Sequence, residues 1–179
     1  DGVLQPTIQC EFSTPPMGDA FPDHVDVQTS PIVIHLSPDP NKPELPSSGP
    51  SRIIAPFTQT IANNYSEGRG VIRVLNGADC TLEANLGGVD VDGDNQVDWI
   101  VSSAALAAAD IDVDGRPEII AYGADGSTLA FGHDGNNFDC KTISSQTIFL
   151  EFSISISGIF ENDNFPAPRA RICKNPYFS

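Results

Sequence analysis

Two short acidic segments constrain this chain more than anything else in it. The first reads DVDGDNQVDWIV and carries Asp90, Asp92, Asp94 and Asp98. The second reads DIDVDGRPEIIA and carries Asp110, Asp112, Asp114 and Glu118. Counted from the first acid, both place carboxylates at positions 1, 3, 5 and 9, and both run on into strand-forming residues. Alternate acids on a tightly curled chain aim their carboxylates at a common centre. Four such groups repel one another unless a cation lies between them. Calcium suits the task, because it takes six to eight hard oxygen ligands at about 2.3–2.6 Å. The main-chain carbonyls of Gln96 and Arg116, at position 7, can add a ligand each, and the acid at position 9 closes the cage. Gly93 and Gly115 ease the sharp turn. Magnesium fits less well, since it gives up its waters reluctantly and demands a strict octahedron. An EF-hand would need a bidentate Glu at position 12, where this chain has Val101 and Ala121. The competing reading is a pair of solvated turns capped by Asp side chains.

Charge points the same way. Among 179 residues, 9 Lys and Arg face 24 Asp and Glu, a formal charge of −15. Without a basic footprint, neither nucleic acid nor an anionic membrane surface is an expected partner. Cations are. No apolar run approaches the roughly 18 residues of a membrane span, so no membrane insertion is expected. With 15 Gly and 15 Pro, long helices are disfavoured and turns should be dense. The length allows one domain with a buried core.

The chain opens at Asp1 without Met or a signal-type apolar stretch, as a processed chain or a fragment would. Cys10, Cys80, Cys140 and Cys173 lie far apart with no C-x-x-C pair. Such spacing favours two disulfides in an extracellular, oxidising setting over a zinc site. Three pairings remain open. Asn64-Tyr65-Ser66 is a glycosylation sequon in a polar loop.

Along the chain, residues 1–28 read as an irregular arm with one short strand near Ile8. Residues 29–142 read as the β domain, and 143–179 as a strand followed by a Pro-rich tail. Within the β domain, TSPIVIHL and SRIIAPFTQT are strands, with Pro56 placing the far end of the second at an edge or bulge. The loop between them is Pro-rich. GVIRVLNGADCTLEANL is a hairpin turning at Asn76-Gly77, and Val71, Val74 and Leu75 with polar Arg73 suggest a half-buried strand. Strand is favoured over helix between the two acidic loops. PEIIAYG is a strand, and STLAFGHDGNNFDCKT a hairpin turning at Asp134-Gly135. QTIFLEFSISIS alternates with period two and would reach roughly 33 Å as one long strand.

The two loops, D-x-D-G-D-x-x-x-D-x-I and D-x-D-x-D-G-x-P-E-I-I, resemble the calcium loops of FG-GAP/VCBS repeats, the blades of integrin-α-like β-propellers. TSPIVIHL resembles a first blade strand, GVIRVLNGADC a blade hairpin, and ADIDVDGRPEIIAYGADGSTLAFGHDG a near-complete blade. The resemblance covers roughly residues 25–140. It implies an all-β fold of about two propeller-like blades with calcium loops. It departs from the family where SPDPNKPE replaces a third acidic loop, and where the two good loops start only 20 residues apart. A propeller needs at least four blades to close. Two blades therefore imply a piece of a longer adhesin, a compact β-sandwich, or completion by strands of neighbouring chains, for which residues 147–156 and the N-terminal arm are suitable donors.

No catalytic constellation stands out. His24, His35 and His133 fall in no known motif, and Asp23 and Asp26 beside His24 read as a solvated loop. Trp99 is expected to be buried rather than to stack on sugar. The function expected is that of an extracellular, calcium-stabilised structural or adhesive module, self-associating through open β edges. The alternative is a calcium-dependent, lectin-like module that binds glycans.

Overall fold

In a computed structural model, the described residues are 5, 7–36, 50–59, 69–90, 95–133 and 138–140. They hold nine strands and no helix: β1 (His24–Val27), β2 (Ile32–Ile34), β3 (Arg52–Gln59), β4 (Gly70–Asn76), β5 (Leu82–Leu86), β6 (Ala107–Ala109), β7 (Glu118–Tyr122), β8 (Thr128–His133) and β9 (Phe138–Cys140). Among the described residues no helix is long and apolar enough to cross a membrane. All pairings are antiparallel. The first sheet runs β1-β3-β4-β5, with β2 also on β3, and the second is the meander β6-β7-β8-β9. The protein is thus all-β, built from two antiparallel sheets.

Period-two alternation explains how the sheets stack. On β3 and β4, Ile54, Ile72 and Val74 share one face, and Ala55, Phe57, Val71 and Arg73 the other. The first face joins Leu86 against Ile100, Leu106, Ile119, Ala121, Leu129 and Phe131, which makes one core between the sheets. Each Ile, Leu, Val or Phe side chain among them contributes roughly 1.5–3 kcal/mol by leaving water. The second face is covered by the N-terminal arm and by Trp99: Phe12 and Phe21 of the arm pack with Trp99 on Ala55, Phe57 and Val71. β4 is therefore buried on both faces, not half-buried as its pattern suggests. The arm also departs from expectation, since the strand near Ile8 is not formed, while His24–Val27 joins the sheet as β1.

Pro56 lies in a central strand rather than at an edge. It pairs with Ile72 of β4, and on its other side it sits in the gap where β2, facing Arg52–Ile54, ends and β1, facing Phe57–Gln59, begins. A residue without an N–H is tolerated where no neighbour on that side needs one. The Asn76-Gly77 hairpin forms as expected, closed by Cys80 N–H to the Asn76 carbonyl at 2.8 Å. Cys80 is bridged to Cys10, with Cα atoms 5.6 Å apart across 70 positions, one of the bridges that the sequence left open. The bridge pins the arm to that turn. Cys173 and the side chain of Cys140 lie outside the described residues, as do Asn64, the Asp134-Gly135 turn and residues 147–156.

Residues 98–101 stitch the sheets together. Ile100 exchanges two backbone hydrogen bonds with Gly70 (2.7 and 2.9 Å) and forms a bridge with Gly123. Any Cβ on Gly70 would lie 2.9 Å from the Ile100 carbonyl oxygen, so the close approach requires glycine. This connector follows directly on the first acidic loop.

Candidate metal centre

The two acidic loops close in the same way. Val89 bridges Asp98 in the first, and Ala109 pairs with Glu118 at the β6–β7 end in the second. In both, the residue before position 1 faces the acid at position 9 across an antiparallel pair. The position-1 carboxylate then accepts from the amide at position 6. Asp90 Oδ2 takes the Asn95 N–H at 2.9 Å, and Asp110 Oδ2 takes the Gly115 N–H at 2.9 Å. Position 6 is left-handed in each loop, at φ 66° for Asn95 and 86° for Gly115. Two chain segments 20 residues apart thus share their closing pair, the bond from position 6 to position 1 and a left-handed position 6.

Glycine placement differs between them. Gly115 occupies position 6 of the second loop, whereas Gly93 falls at position 4 of the first, outside the described residues. Position 4 of the second loop is Val113, at φ 61° and 86 % exposed. A β-branched residue in that region is strained. The turn-easing role read for Gly115 agrees with its backbone; at the equivalent of Gly93 the second loop accepts strain instead.

In the second loop, Asp110, Asp112 and Glu118 bring one carboxylate oxygen each within 4.8 Å of one another. The aspartates are exposed and Glu118 is fully buried. Glu118 Oε2 accepts the Ile111 N–H at 2.8 Å, which orients the carboxyl at the start of β7. The donors are hard oxygens of like charge, the set a calcium ion prefers. Asp114 stands apart from this group. Its Oδ1 caps the Arg116 N–H at 2.9 Å, and its own N–H is shared between Asp110 and Asp112. The Arg116 guanidinium reaches the His133 carbonyl at 3.1 Å. Within one loop, Asp114 caps a turn while Asp110, Asp112 and Glu118 converge. In the first loop Asp98 is nearly buried and Gln96 exposed, while Asp92 and Asp94 lie outside the described residues.

A second charged centre was not legible in the sequence. Arg73, fully buried on β4, forms an ion pair with Asp19, whose side chain is also fully buried. Its guanidinium donates to Asn85 Oδ1 (3.0 Å) and to the carbonyls of Phe21 (2.7 Å) and His24 (3.1 Å). The ring faces of Phe12 and Phe57 lie 5.2 and 5.4 Å from it. Burial opposes the charge on Asp19, but hydrogen bonds from the Phe21 N–H, Arg73 and Asn85, with the Arg73 charge, hold its carboxyl below the usual range. His24 is no solvated loop residue either: it is buried, with its ring stacked parallel to Trp99 at 5.8 Å and edge-on to Phe21 at 5.5 Å. Trp99 packs against the arm, as a core residue would. His35 Nε2 lies 3.1 Å from Ser51 Oγ and ties the end of β2 to the start of β3. The only signal for the Arg73 centre was a basic residue inside an otherwise apolar strand.

Fold and site together describe an all-β protein of two stacked sheets with a repeated acidic hairpin loop. No protein family matches the chain, and neither does any curated protein. Among solved structures, the crystal structure of the V. cholerae biofilm matrix protein Bap1 is similar at 25 % identity and a TM-score of 0.46, over 77 % of this chain and 22 % of that one.

Proposed function

We propose that this chain is an extracellular structural or adhesive β module of FG-GAP/VCBS type, held in shape by calcium. The observation that carries the reading is the convergence of Asp110, Asp112 and the buried Glu118 in a loop whose closing pair has its counterpart at Val89 and Asp98. Carboxylates of one sign, one of them buried, are costly to gather without a cation. Calcium would be held by Asp110, Asp112 and Glu118, with Asp90, Asp92, Asp94 and Asp98 and the carbonyls of Gln96 and Arg116 as the further ligands the spacing suggests. An ion there ties β6 to β7 and the end of β5 to the connector, and so fixes how the sheets join. The Cys10–Cys80 bridge supports an oxidising compartment. Among the described residues each sheet ends in edge strands, and self-association through such edges is part of the proposal. Thermal melting of the full chain in calcium and in chelator tests the reading. A lower Tm in chelator is expected; coincident curves overturn the metal.

A further inference from the structure

The buried histidine at the root of the arm offers chemistry that the calcium reading does not use. His24 is 4 % exposed, and neither ring nitrogen makes a hydrogen bond of good geometry. Its ring is enclosed by Trp99 and Phe21, and its carbonyl oxygen accepts from Arg73. The charged groups acting on the ring come from two sides. Asp19 and Asp23 on the arm favour a positive ring, as does the backbone of Arg69, while Arg73 on β4 opposes it. Burial outweighs the favourable set and holds the imidazole below its ordinary value of 6.5.

We propose that His24 is an acid-released latch: protonation of its ring in the slot between Trp99 and Phe21 detaches the arm and β1 from the first sheet. Charging the ring where it sits would place a cation without a strong acceptor beside the Arg73 guanidinium. Leaving the slot hydrates it. The segment that swings lies between two fixed points, the Cys10–Cys80 bridge and the start of β2. Its departure uncovers Ala55, Phe57 and Val71 and opens the β3 edge that His24–Val27 occupies. The sign follows from linkage: a histidine held neutral in the folded state contributes stability above pH 6.5 that is lost as the pH falls below it. The local opening equilibrium gains tenfold per pH unit, so about 30-fold at most by about pH 5.

Amide hydrogen exchange of the full chain in calcium tests this, with protection corrected for intrinsic rates between about pH 7.5 and pH 5. Protection at the β1 amides should fall by up to that factor while β4 stays protected, and His24→Phe should abolish the fall. Protection that does not change with pH, or an equal fall in His24→Phe, overturns the latch. Should the variant fail to fold, the NMR titration of His24 in the unmodified chain decides: a midpoint at or above 6.5 overturns it, and one below supports it.

Discussion

Asp19 and Glu118 are both carboxylates whose side chains are withdrawn from water, and the chain surrounds them differently. Around Asp19 it supplies a guanidinium, an amide side chain and a backbone N–H from three separate segments. Beside Glu118 lie the Ile111 N–H, which it accepts, and the carboxylates of Asp110 and Asp112. The first centre closes its own charge balance, and its side-chain partners are 54 and 66 positions away from Asp19 in the sequence. The second gathers three carboxylates from within nine consecutive residues, and that local convergence is the ground of the calcium proposal. A long-range centre can recruit an opposite charge from anywhere in the fold, whereas a local loop of fixed composition cannot.

The comparison breaks most visibly at Arg73. Arg73→Leu leaves Asp19 buried beside no cation and should cost about 3–5 kcal/mol in a urea melt, with no rescue by calcium. A loss below about 1 kcal/mol would mean the pair behaves like an exposed one. Glu118→Gln should do the opposite. In calcium at a hundredfold excess over Kd, the unmodified chain gains about 2.7 kcal/mol, and the variant should lose that gain while holding its stability in chelator. A calcium response retained in Glu118→Gln would move the site elsewhere.

Acid separates the centres again. Because the Asp19 carboxyl is held below its ordinary 3.8 by the Phe21 N–H, Arg73 and Asn85 against the cost of burial, its contribution is complete above that value and drains away as the pH falls through the folded-state value. Asp19→Asn should flatten the stability profile below about pH 4 and leave the region above it parallel to the unmodified chain. The smallest expected effect compares the two loops themselves. Val113→Gly removes the strain at position 4 and should raise the Tm, a gain of up to about 1 kcal/mol. Asn95→Gly, at a position asparagine tolerates, should change little.

Much of the architecture was readable residue by residue. The β-branched runs, the Asn76-Gly77 turn and the acids that open β7 are local signals, and local sterics and hydrogen bonding suffice to produce strands and turns from them. The matching positions of Asp90 and Asp110, and of Asp98 and Glu118, were legible because hairpin geometry depends on spacing within ten residues. The role of the arm was not. Phe12, Asp19, Phe21 and His24 sit among prolines with no periodicity, so nothing local marks them as one wall of a core.

By itself, then, the chain determined its strand content, its turn chemistry and the grouping of its acids, since each depends on neighbours in sequence. The folded structure alone decided that Cys10 finds Cys80, that Pro56 lies inside a sheet, and that Arg73 is buried with Asp19. Those outcomes depend on which face of a strand meets which distant segment, and a period-two pattern says only that there are two faces, not what will cover them.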